Sequence, residues 1–69
     1  MSKIYSKKEL EIIAFLIGKY GHLTYASVSV EHLEEEYFKL TGIHRAGGAI
    51  YMVAWRYEHG RYNRLMASA

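Results

Sequence analysis

Thr41-Gly42-Ile43-His44-Arg45-Ala46-Gly47-Gly48-Ala49-Ile50 is the stretch that decides the fold. Upstream of it, Val30, Leu33, Tyr37 and Leu40 form one apolar line at helical spacing, with Phe38 beside them. Downstream, Ile50, Val53, Ala54 and Tyr57 repeat at i, i+3, i+4 and i+7. Gly42 closes the first run, and only a few residues separate it from the second, so the chain passes from helix to helix through a tight turn. Ser29 is placed to cap the upstream helix, and Glu31 then lies near the positive end of its dipole. The spacing predicts one helix over 30–41 and another over 45–59. The second starts near Arg45 or Ala46 and stops at Gly60.

The N-terminal third predicts a further helix. Ser6-Lys7-Lys8-Glu9 is a capping-box sequence, in which the Ser6 hydroxyl accepts from the Glu9 amide and the Glu9 carboxylate reaches back. Leu10, Ile13, Ala14 and Ile17 follow at helical spacing, widened by Phe15 and Leu16, and Gly21 supplies a left-handed stop. This places a helix over 7–20, weakened by about 1 kcal/mol at Gly18 relative to alanine. Residues 22–28 mix polarities and read as a loop, since a strand there would lack a partner. The chain has no proline to interrupt any of these helices. The expected fold is an all-α, three-helix bundle of helix-turn-helix type over 1–60, followed by a basic tail over 61–69.

Length and composition narrow the function classes. A chain of 69 residues buries only about 60% of its unfolded surface, which leaves room for one core and no interdomain cleft. Without cysteine there is neither a disulfide framework nor a thiolate metal site. Apolar runs such as Ile12 to Ile17 fall far short of the roughly 20 residues that span a bilayer. No targeting segment is legible, so a cytoplasmic location is expected and no membrane partner. His22, His32, His44 and His59 are widely separated. His32 has helical ligand spacing to Glu35 or Glu36, but two such ligands rarely hold a metal without a third. Gly42 to Gly48 lacks the Lys-Ser/Thr ending of a phosphate loop. Neither a nucleophile triad nor a carboxylate pair is apparent. No enzyme, metal, cofactor or small-molecule substrate is expected.

Charge is unevenly placed although the net value is only +2. Glu31, Glu34, Glu35 and Glu36 face only Lys39 in the middle of the chain. Arg45, Arg56, Arg61 and Arg64, all the arginines of the chain, face only Glu58 after Gly42. Arginine suits forked contacts with phosphate and guanine, which makes the C-terminal third the natural nucleic-acid face. The same charges would equally serve solubility.

Two stretches resemble a known family. Tyr5-Ser6-Lys7-Lys8-Glu9-Leu10, with the closing Lys19-Tyr20-Gly21, is similar to the opening of a Myb/SANT-like repeat, where an aromatic residue precedes a capped acidic helix. Thr41 to Ile50 resembles that family's turn and third-helix start, where Arg-Thr leads into a small residue and a buried apolar one. The likeness spans Tyr5 to His59. It implies a homeodomain-like helix-turn-helix domain, of bacterial or phage type, whose third helix enters the DNA major groove. Tyr5 and Ala54 stand where the family carries core tryptophans, with Trp55 displaced by one position, and Ala46 stands where it has a capping threonine. SANT-type relatives often bind protein tails instead.

The residues then suggest two functions. As a DNA-binding regulator of transcription, the chain would use His44, Arg45, Gly48, Met52, Arg56 and His59 on or beside the third helix. Arg56 would fork onto guanine, Met52 would touch a thymine methyl, and Gly48 would let a phosphate approach the helix N-terminus beside Arg45. Lys7, Lys8, Arg61 and Arg64 would hold phosphates of double-stranded DNA. So small a domain makes few base contacts, so a homodimer or a complex with a host protein such as RNA polymerase is expected. The alternative is a protein-interaction module, such as a small phage-type inhibitor of a host nucleic-acid enzyme. It would act through Glu31, Glu34 and Glu35 together with exposed Tyr51, Trp55 and Tyr62.

Overall fold

Ser6 and Glu9 start the first helix by reciprocal bonds: the Glu9 amide donates to Ser6 Oγ at 3.1 Å, and the Ser6 amide donates to Glu9 Oε1 at 3.2 Å. The structure, a computed structural model, describes residues 4–64. Helix α1 runs Lys7–Tyr20 and ends at Gly21, which has a φ of 88° and donates its amide to the Ile17 carbonyl at 2.7 Å. Ser29 caps α2, Val30–Thr41, by accepting from the His32 amide at 3.2 Å. Gly42, left-handed with a φ of 74°, closes α2. After the turn, α3 runs Gly47–Glu58. The fold is therefore an all-α three-helix bundle, with no strand among the described residues.

The third helix starts later than Arg45 because nothing local caps it. Ala46 is extended at the N-cap and offers no side-chain acceptor. Glu34 of α2 supplies one instead, its Oε2 accepting the Gly47 amide at 2.6 Å. A carboxylate at a helix N-terminus satisfies an orphan donor and faces the positive end of the dipole. This cap joins α2 to α3 directly, and Gly47 is part of the same contact. A Cβ on Gly47 would lie 2.7 Å from Val30 Cγ1, so the two helices approach more closely than a side chain permits.

The core is built from all three helices and the first loop. Leu10, Ile13, Leu16, Leu33, Tyr37 and Ile50 are fully buried. Each such aliphatic side chain contributes about 2 kcal/mol by leaving water. The buried line of α1 is Leu10, Ile13 and Leu16, while Ala14 and Ile17 are only half-buried and Phe15 points outward. The stripe turns toward Leu16 because Glu9, on the same face, is itself drawn into the interior. In α2 the buried positions are Leu33 and Tyr37. Leu40 lies outside the core, and Phe38 stacks on His44 with ring centroids 4.0 Å apart.

Residues 22–28 form a loop held by its own polar groups. Ser27 Oγ accepts from the Thr24 amide at 3.0 Å and donates to the His22 carbonyl, while Leu23 and Val28 turn into the core. At the other end, Gly60 takes a φ of 80° and Arg61 donates its amide to the Arg56 carbonyl at 3.0 Å. This turn brings Tyr62 back against the core, so the packed chain continues past residue 60. Residues 65–69 of the expected tail lie outside the described residues.

Candidate nucleic-acid interface

Helix α3 has two unlike sides. One buries Ile50, Tyr51, Val53 and Ala54. The other leaves Gly48, Met52, Trp55, Arg56 and His59 exposed. Four of these residues, Gly48, Met52, Trp55 and His59, succeed one another at spacings of four, three and four, so they follow one line along the helix. The face is stiffened by ring contacts. His59 stacks on Trp55 at 3.9 Å between centroids, and its Nδ1 lies 2.8 Å from the Trp55 carbonyl oxygen. The loop adds Tyr25, whose ring rests against Tyr51 at 4.4 Å. Leu23, Tyr25, Gly48, Tyr51, Met52 and Trp55 line a groove of about 520 Å³ between the loop and α3.

Two cations lie at the C-terminal end of this face. Arg56 and Arg61 are exposed, and their guanidinium groups have no partner among the described residues. Arg64 and Lys8 are exposed as well, and Lys7 is half-buried. Glu58, the acid nearest these arginines in sequence, is turned to His22, whose Nδ1 lies 2.7 Å from its Oε1.

Arg45 does not belong to the outward set. Its Nε donates to Glu9 Oε2 at 3.0 Å and its Nη2 to Glu9 Oε1 at 3.1 Å, a two-point contact that spans 36 positions of sequence. Nη2 also donates to the Ile4 carbonyl at 3.1 Å, and the guanidinium carbon sits 4.1 Å from the centre of the Tyr5 ring. Tyr37 completes the cluster by donating its hydroxyl to Glu9 Oε2 at 2.6 Å. With 17% of the Arg45 side chain and 6% of the Glu9 side chain exposed, this is an internal ion pair, not a phosphate contact. Burial pushes the Glu9 carboxyl upward. The bonds from Arg45, Tyr37 and the Ser6 amide outweigh that effect and hold it below its ordinary value. Burial, then the bond to Glu9, pushes the Tyr37 phenol well up.

The helix N-terminus is likewise occupied. Glu34 already fills the anion position at Gly47, so the expected approach of a phosphate beside Arg45 is replaced by an internal carboxylate. Gly48 keeps an open side, with nothing within 4 Å of the place a Cβ would take. His44 is exposed but is stacked on Phe38, at the turn end of the molecule.

The acidic row of α2 divides by function. Glu34 caps α3. Glu36 accepts from Lys19 Nζ and from the Tyr20 hydroxyl, each at 2.5 Å, and lies 3.6 Å from His32 Nε2. Those bonds, Lys19 first, hold the Glu36 carboxyl below its ordinary range. Glu31 and Glu35 remain exposed without partners among the described residues. Among the expected protein-contact aromatics, Trp55 is outward. Tyr51 is buried and donates its hydroxyl to the Val28 carbonyl at 2.5 Å, and Tyr62 is half-buried against the core.

Two members of the site escaped the sequence reading. Tyr25 sits in a loop with no periodicity to betray its direction. Glu9 reads as a capping residue only, although its spacing to Ile13 and Leu16 places it on the buried face. Among the described residues no three acids or histidines gather as metal ligands, and no helix is long and apolar enough to cross a membrane. The chain matches no family model, no curated protein and no solved structure.

Proposed function

We propose that the protein is a small DNA-binding regulator whose third helix reads the major groove. The observation that carries this reading is the uncovered outer side of α3, where Gly48, Met52, Arg56 and His59 are all exposed. A helix of about 10–12 Å diameter fits a groove about 12 Å wide. Arg56 is the forked donor for guanine, and Met52 supplies an apolar contact one turn earlier. Lys8, Arg61 and Arg64, with Lys7, position the duplex through its phosphates. Arg45 takes no part, since it holds the helix in place through Glu9. His44, engaged with Phe38, serves the turn. Pairing of two copies on adjacent half-sites would raise the number of base contacts.

Fluorescence anisotropy on mixed genomic fragments tests the reading. Affinity is expected to fall steeply between low and moderate salt as counterions are released. Arg56→Ala should level the differences between sequences, whereas Lys8→Ala should weaken all of them alike. Salt-independent binding, or the reverse behaviour of the two variants, contradicts the assignment.

A second reading is favoured by Glu31 and Glu35, which stand exposed and unpartnered on α2. Such a pair suits a basic surface on a protein, for instance a nucleic-acid enzyme such as RNA polymerase. A protein that survives nuclease treatment at fixed stoichiometry, and is lost when both glutamates become lysine, identifies this function.

A further inference from the structure

The outer side of α3 carries more apolar surface than a helix reading by hydrogen bonds requires. Met52 is 53% exposed, Trp55 52%, and Tyr25, brought alongside by the loop, 72%. They share one groove with Gly48, which has no side chain to hold a partner away. Exposed side chains of this size gain nothing from water, and the rim of the face is cationic through Arg56 and Arg61. A duplex brought in by that charge presents only one apolar group on its major-groove base edges, the C5-methyl of a pyrimidine.

We propose that this groove recognises pyrimidine C5-methyl groups. Met52 and the edge of Trp55 cover the methyl, Tyr25 closes the side away from α3, and Gly48 lets the helix backbone come close to the base edge. Arg56 follows Trp55 directly and stands one turn beyond Met52. The preferred site therefore sets a methylated pyrimidine beside a guanine. Two bases carry the group: thymine always, and cytosine when it is methylated at C5. This inference rests on the DNA-binding reading and sharpens it.

The test uses three synthetic pools of random-sequence duplexes, measured by anisotropy with the whole chain at one salt concentration. The first contains thymine. The second replaces every thymine with uracil, which removes the methyl and leaves pairing intact. The third is the uracil pool with 5-methylcytosine in place of cytosine. The uracil pool should bind about fourfold more weakly for each methyl lost from the contact. Recovery in the third pool assigns the methyl itself as the feature read. Weakening without recovery assigns thymine as its source. Met52→Gln should bring the thymine-to-uracil ratio toward one. Equal affinity for the first two pools overturns methyl recognition and leaves DNA binding standing. Absence of binding to any pool overturns both and gives the groove to a protein partner.

Discussion

Arg45 and Glu9 meet through two parallel bonds, Nε to Oε2 at 3.0 Å and Nη2 to Oε1 at 3.1 Å, and tie the start of α1 to the residue that precedes the N-cap of α3. An arginine that looks like a nucleic-acid contact is thus a structural strut. Removing one member strands the other in a poorly solvated site, which costs about 3 kcal/mol. Arg45→Ala and Glu9→Ala should each lower the urea midpoint sharply. Arg56→Ala should change stability by no more than about 0.5 kcal/mol. Equal stability of the Arg45 and Arg56 variants would contradict the strut.

Acid should expose the same pair. The Glu9 and Glu36 carboxyls both lie below the ordinary 4.5 in the folded chain. A depressed folded value means that the unfolded chain binds protons first, so this stability is present above pH 4.5 and is lost as pH falls through the folded values. Urea midpoints should be level near neutrality and decline below about pH 4.5, and Glu9→Gln should flatten part of that decline. At the alkaline end the sign reverses. Tyr37, with Tyr5, Tyr20 and Tyr51, sits above the ordinary 10.0, so stability present below that pH drains away above it. A midpoint indifferent to both extremes would refute the linkage.

Gly47 and Gly48 are neighbours with opposite expected responses to alanine. At Gly47 the new methyl would meet Val30 Cγ1 at 2.7 Å and the Val30 carbonyl oxygen at 3.3 Å, and neither a β-branched side chain nor helix backbone yields easily. Gly47→Ala should destabilise by about 1–3 kcal/mol, as other overpacked sites do. At Gly48 the methyl meets nothing, and alanine favours the helix by about 0.8–1 kcal/mol. Thermal melts of the two variants should therefore move in opposite directions.

Periodicity and caps made most of the fold legible. Ser6 with Glu9 and Ser29 with Gly42 mark helix limits through local bonds, and the structure places α1 and α2 at those limits. The start of α3 was legible only approximately, because its cap comes from Glu34, 13 positions away. The same holds for Arg45 and Glu9. Charge can be counted along a chain, but whether a guanidinium faces water or a buried carboxylate depends on which helices meet. Tyr51 and Trp55 show the limit within a single helix, for both are large aromatics four positions apart and only one is buried. The outward row of Gly48, Met52, Arg56 and His59 was legible because it lies off the apolar line that α3 buries.

Glu31 separates the two functional readings by sign. It is exposed at the start of α2 and lines a shallow depression with Glu34, Glu35, Phe38 and His44. An exposed carboxylate on so small a domain opposes an approaching phosphate backbone and attracts a basic protein. Glu31→Gln should therefore strengthen duplex binding about two- to threefold at low salt, the weight of an exposed charge contact of roughly 0.5 kcal/mol, with the gain fading as salt is added. Under the protein-interaction reading, the same change weakens the complex by a similar factor. Anisotropy on a duplex pool, read beside binding to the candidate enzyme, gives both signs from one variant. A stronger duplex complex with an unchanged protein complex favours the regulator, and a weakened protein complex with unchanged duplex affinity favours the interaction module.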